Sequence, residues 1–175
     1  MIYYIHGYLS SPDGTKGQLF KKELQAIPIT YRNVEPEKLV ISDCVTQIKK
    51  VIGLDEKPIL IGSSLGGFLA AKTSLDTTIA KMILINPAII PPDIDISTLT
   101  DMPQSILKDM QVEVLFKTKI NTDITIFVGT EDMIVPNDWS IEFGKRQEAT
   151  VIFFHDDHQF SNYMQRLPHL IRSII

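Results

Sequence analysis

Residues 59–72 read ILIGSSLGGFLAAK, and the fold turns on why glycines interrupt an apolar run at this point. Ile59 to Ile61 have the composition of a strand buried on both faces, and Phe68 to Lys72 are good helix formers. Between them, Gly62-Ser63-Ser64-Leu65-Gly66 fits G-x-S-x-G. With a strand before it and a helix after it, that pentapeptide is the signature of a nucleophile elbow, a sharp turn that lifts a serine above the edge of a sheet. Residues two before and two after the serine crowd against neighbouring backbone and need to be glycine. Only Ser64 has glycine at both offsets; Ser63 does not. The elbow also sets Ser64 at a helix N-terminus, where unpaired N–H groups favour developing negative charge. Neither the dinucleotide pattern G-x-G-x-x-G nor the phosphate loop G-x-x-x-x-G-K-[ST] is present. Taken alone, the pentapeptide fits a tight turn without chemistry equally well, and other residues have to decide.

Working outward, five more short runs have strand composition: IYYI (2–5), ITYRNV (29–34), MILI (82–85), ITIFV (124–128) and TVIFF (150–154). Helical stripes separate them, over Leu19 to Ile27, Leu39 to Ile52, Phe68 to Leu75, Gln104 to Thr118, Ile141 to Arg146 and Tyr163 to Ile174. Alternating strands and helices predict a doubly wound α/β fold with a mainly parallel sheet of about six strands. Right-handed crossovers place the strands in the order 2-1-3-4-5-6, with ligands at their carboxyl ends. The connection from Asn86 to Asp123 exceeds the roughly 10–15 residues that a crossover helix needs. Its surplus, residues 87–118, is expected to form a small cap within a single domain spanning 1–175.

Three strand ends then carry chemistry. The first strand ends in His6-Gly7-Tyr8, beside the elbow in such a fold, where the backbone N–H of Tyr8 pairs with that of Leu65 as an oxyanion hole. The fifth ends in Gly129-Thr130-Glu131-Asp132, a loop carboxylate at the position of a triad acid. The sixth ends in His155-Asp156-Asp157-His158. His155 is expected to stay packed in the strand, whereas His158 sits on the loop, free to reach Ser64, with two carboxylates beside it. Serine, acid, histidine is the chain order of α/β hydrolases. His6 reads as a turn-shaping residue and His169 as a surface one. A metal site built on HDDH lacks a third ligand in reach, so no metal or cofactor is expected.

Composition sets the outer bounds. Hydrophobic residues make up 44% of the chain and charged ones 22%, ordinary globular values. A net charge of −4 without clustered Lys and Arg speaks against nucleic acid as a partner. No stretch approaches the roughly 20 apolar residues of a membrane helix, and MIYYIHG has no basic leader, so no membrane insertion or export is expected. The single cysteine, Cys44, lies in a helical stripe as a core residue, and a lone thiol fits a reducing, cytoplasmic setting.

YIHGYLSSP, GSSLGGF, NPAIIPP, GTEDMIVP and DDHQF, in this order, resemble the motif series of the YqiA-like bacterial esterases, a small α/β-hydrolase family. The resemblance covers most of the chain. It implies an esterase or thioesterase acting on acyl esters and acyl thioesters, with Ser64 as nucleophile, Asp132 as acid, His158 as base, and Tyr8 and Leu65 at the oxyanion hole. Its substrate would be a small molecule, bound against the apolar side chains of the cap, Ile89, Ile90, Met102 and Ile106. The alternative is a catalytically silent α/β-hydrolase domain that binds a ligand or a protein.

Overall fold

The computed structural model describes all 175 residues. Strands β1 (Ile2–Ile5), β3 (Ile59–Ser63), β4 (Lys81–Ile85), β5 (Asp123–Gly129) and β6 (Thr150–Phe154) match five of the expected runs to within a residue at either end. With the two-residue β2 (Ile27–Pro28) they form one six-stranded sheet in the order β2-β1-β3-β4-β5-β6. Every pairing is parallel. This is the topology expected from the sequence.

Side chains alternate strictly between the two faces. Tyr3, Ile5, Leu60, Met82, Leu84, Ile126 and Val128 enter one core layer; Tyr4, Ile61, Ile83, Ile85 and Phe127 enter the other. Burial on both faces is what makes these strands almost continuously apolar. The larger layer lies under α2 (Ile41–Ile52), α3 (Leu65–Thr73) and α6 (Asn137–Gln147). The smaller one lies under α1 (Thr15–Leu24) and α7 (Leu167–Arg172). Helix α2 buries Ile41, Cys44, Val45, Ile48 and Ile52, a single stripe at helical spacing. Burial pushes the Cys44 thiol up to about 11, so it stays protonated in the core.

Three elements differ from expectation. The strand expected over ITYRNV (29–34) is replaced by the shorter and earlier Ile27–Pro28. Pro28 has no N–H to extend a ladder, and Ile29 makes a last bond to the Tyr4 carbonyl (2.8 Å). Beyond it, Tyr31 and Arg32 turn their side chains to the loop after β1. The helix expected over Gln104 to Thr118 is two, α4 (Gln104–Met110) and α5 (Val114–Lys117). It breaks at Gln111, whose side-chain amide donates to the carbonyls of Pro91, Pro92 and Ile94 in the proline-rich segment. At the C-terminus, a 3₁₀ turn over Met164–Arg166 replaces the first part of the expected helix. No helix is long and apolar enough to cross a membrane.

Candidate active site

Ser64 stands between the end of β3 and the start of α3 with φ 54° and ψ −121°, a conformation that a serine adopts only when its surroundings force it. Those surroundings are visible. Its N–H donates to the Ile85 carbonyl (3.0 Å), and its own carbonyl accepts from the N–H groups of Gly67 (2.9 Å) and Ala88 (3.0 Å). A Cβ on Gly66 would lie 2.0 Å from the Ile5 carbonyl oxygen, and one on Gly62 would lie 2.4 Å from that of Gly66. No side chain fits at either offset. Leu65 opens α3, so its N–H has no carbonyl one turn back within the helix.

The loop after β1 abuts this turn: a Cβ on Gly7 would stand 3.3 Å from that of Ser64. The Gly7 carbonyl is fixed by three donors: His6 Nδ1–H (2.8 Å), the Tyr31 hydroxyl (3.3 Å) and the Ser10 N–H (3.3 Å). The chain has no cis peptide, and a planar trans unit aims the following N–H opposite its carbonyl. The Tyr8 N–H therefore points away from that cluster. Arg32 anchors the same loop by donating to the carbonyls of Tyr8 (2.8 Å) and Ser10 (2.9 Å). His6 stacks on Tyr31 with ring centroids 4.3 Å apart. Burial, aided by the Arg32 charge, pushes its pKa down to about 4, so the ring is a neutral brace.

Across the sheet edge, His158 Nδ1 lies 2.7 Å from Asp132 Oδ2. A carboxylate only accepts, so the imidazole donates from Nδ1, and in the neutral ring Nε2 is the nitrogen free to accept. Asp132 Oδ1 accepts from the N–H groups of Ile134 (2.8 Å) and Val135 (2.9 Å), and the side chain is 1% exposed. Glu131, the other carboxylate of this loop, is exposed and faces His155 Nε2 at 3.5 Å. Asp138 lies in the first turn of α6. His155 falls just beyond β6 with its side chain 80% exposed, not packed in the strand as expected. The strand ends one residue earlier and leaves it on the surface. The two carboxylates preceding His158 are engaged elsewhere. Asp156, fully buried, accepts from the N–H groups of Asp157, Asn162 and Tyr163. Asp157 holds Ser161 through both its N–H and its hydroxyl.

A family profile matches residues 1–174. The chain belongs to UPF0227, described as an uncharacterised protein family. This is the YqiA-like family indicated by the motif series. No curated protein matches the sequence. Among solved structures, the mouse alpha/beta hydrolase domain-containing protein 10 superposes with a TM-score of 0.80 at 19% identity, over 99% of this chain and 88% of that one. Est1E from Butyrivibrio proteoclasticus, with ferulic acid bound, gives 0.80 at 16% identity over 98% and 86%. The Paleococcus ferrophilus monoacylglycerol lipase gives 0.75 at 16% identity over 98% and 92%. These likenesses establish the α/β-hydrolase fold.

In the UPF0227 chain, Ser64 and His158 line one cavity of about 540 Å³, together with Gly7 and Tyr8. That size lies within the usual range for small-ligand sites. Its apolar wall is Tyr4, Tyr8, Leu9, Met102, Ile134 and Met164. Of the four side chains expected to hold substrate, only Met102 is there. Ile89, Ile90 and Ile106 are at most 2% exposed and belong to the larger core layer. Those three isoleucines turn into that layer, which removes their apolar surface from water, while Asp101 and Met102 of the same segment border the cavity. The loop after β1 supplies much of the wall instead.

One UPF0227 wall residue had no sequence signal. Lys16 is 7% exposed, and its Nζ donates to the Gln159 carbonyl (2.7 Å) beside His158. Desolvation lowers its pKa to about 8, partly offset by the carboxylates of Asp157 and Asp156. Nothing in the pattern of α1 separates it from the exposed Lys21 and Lys22.

Proposed function

We propose that this UPF0227 protein is a serine hydrolase that cleaves short to medium acyl esters and thioesters through an acyl-enzyme on Ser64. The observation that carries the reading is the Asp132–His158 hydrogen bond, with His158 lining the same cavity as the strained Ser64 turn. With Nδ1–H committed to Asp132, His158 Nε2 is the nitrogen that takes the Ser64 hydroxyl proton as Oγ attacks the acyl carbonyl. The N–H groups of Tyr8 and Leu65 receive the oxyanion. His158 then returns its proton to the leaving alcohol or thiol, and water releases the acyl group by the same base. Asp132 stays ionised throughout and holds the imidazolium in register.

The wall of the cavity supports the substrate class. Tyr4, Tyr8, Leu9, Met102, Ile134 and Met164 offer an acyl chain an apolar surface, while Ser10, Thr15, Lys16, Asp101 and Gln159 add polar groups around it. Each buried methylene adds at most about 0.8 kcal/mol, and a cavity of this size limits how many fit. Two structural neighbours, an Est1E that holds ferulic acid and a monoacylglycerol lipase, agree with that class. The test is turnover across p-nitrophenyl esters of increasing chain length, with Ser64→Ala as the control. Activity should peak at short to medium chains and vanish in the variant. A steady climb through long chains, or peptidase activity exceeding esterase activity, would contradict the assignment.

A further inference from the structure

Asn86 follows β4 directly, is 2% exposed, and has φ 43°, a left-handed conformation that Asn tolerates better than most residues. Its carboxamide is fully engaged by backbone. Oδ1 accepts the Gly129 N–H (2.8 Å) at the end of β5, three residues before Asp132. Nδ2 donates to the carbonyls of Asp157 (3.1 Å) and His158 (3.2 Å). Two carbonyls on one side and an N–H on the other fix which way the amide points. Its neighbours in the chain hold the nucleophile: the Ile85 carbonyl accepts the Ser64 N–H, and the Ala88 N–H donates to the Ser64 carbonyl. Ile85, Asn86 and Ala88 thus bond to the serine turn, the end of β5 and the histidine loop. Lys16, through the Gln159 carbonyl, holds the histidine loop from the α1 side.

We infer that Asn86 is a positioning residue of the reaction proposed above: its side chain sets the distance between the acid loop and the histidine loop, and so the approach of His158 to Ser64. The histidine loop is closed only by a turn in which the Phe160 N–H donates to the Asp157 carbonyl (3.1 Å), so the His158 carbonyl relies on Asn86 for its donor. Asn is the side chain that meets the whole demand. Aspartate keeps an acceptor for Gly129 but turns an oxygen toward two carbonyl oxygens. Glycine suits the backbone angle but leaves the Gly129 N–H and the His158 carbonyl without a partner and the Asp157 carbonyl with the Phe160 N–H alone.

The inference rests on the hydrolase reading, and one experiment separates the two. The full chain is compared as wild type, Asn86→Asp and Asn86→Gly. The readouts are kcat and KM on p-nitrophenyl butyrate, the rate of fluorophosphonate labelling, and thermal unfolding. Both variants should unfold cooperatively, with kcat and labelling rate each lowered by about 10²-fold, as expected for a misplacement on the order of 1 Å. KM should stay within about threefold, since substrate contacts are untouched. Wild-type kcat in either folded variant would overturn the inference, as would a raised KM with kcat unchanged. Loss of cooperative folding in both would also overturn it, by making Asn86 a general structural residue. If the wild type neither labels nor hydrolyses the ester, the hydrolase reading itself fails.

Discussion

The serine turn and the histidine loop line one cavity, yet different forces hold them. The serine turn is held by exclusion: Gly62 and Gly66 let backbone approach backbone where no Cβ fits, and Ser64 is left in the one conformation that remains. The histidine loop is held by donors and acceptors borrowed from distant elements. Asn86 and Lys16 take three successive carbonyls, those of Asp157, His158 and Gln159, while Asp156 folds inward to collect three N–H groups. A sterically packed turn fails sharply when a methyl group is added. A loop held by hydrogen bonds loses alignment gradually, one partner at a time.

The largest effect expected from this contrast falls on the histidine side. In Asp132→Asn, one face of the carboxamide has to keep accepting from Ile134 and Val135, which turns its NH2 toward His158 and forces the wrong imidazole tautomer. Turnover should drop by about 10⁴ with the fold intact, whereas Asp138→Asn, in the first turn of α6, should be near wild type. If Asp138→Asn is the more damaging change, the acid is misassigned. Next in size is Gly66→Ala, which drives a Cβ to 2.0 Å from the Ile5 carbonyl oxygen. Chemical denaturation should report a loss of about 3 kcal/mol, the upper range for overpacking. A variant of wild-type stability would remove the steric half of the contrast.

The smallest effect concerns the brace of the loop after β1. Folded His6 resists protonation down to about pH 4, whereas an unfolded histidine binds its proton near 6.5. As pH falls through that window, the unfolded state takes up the proton first and stability is lost. Between pH 6.5 and about pH 5 the loss from His6 should be on the order of 2 kcal/mol. His6→Phe, which keeps a ring against Tyr31, should flatten that slope in denaturant midpoints measured against pH. An unchanged slope would mean that His6 is not the group responsible.

How much could be read in advance follows the same division. The steric demand of the turn shows as glycine at fixed offsets from the serine, even where Gly66 meets the distant Ile5 carbonyl, so G-x-S-x-G was legible, as were the alternating strands and their order. The Ser64 turn lies where its glycines require, and the sheet has the predicted order. Hydrogen bonds to backbone carbonyls carry no such pattern. Asn86 is 71 and 72 residues from its two carbonyl partners, and Lys16 is 143 from its own. The cavity wall was misread for a related reason. Ile89, Ile90 and Ile106 are apolar whether they meet a ligand or the core, and only the path of the chain after β4 decides between these. The second strand is expected too late because Pro28 ends the ladder while the apolar and β-branched composition runs on to Val34.

The most direct test is peptide mapping of the protein after reaction with a fluorophosphonate. An activated serine beside an oxyanion hole reacts at useful speed, and an ordinary surface or strand serine does not. A single adduct should appear on Ser64, with Ser63→Ala labelling close to wild type and Ser64→Ala not at all. An adduct on Ser63, or none on folded wild-type protein, would contradict the claim that this turn presents a nucleophile.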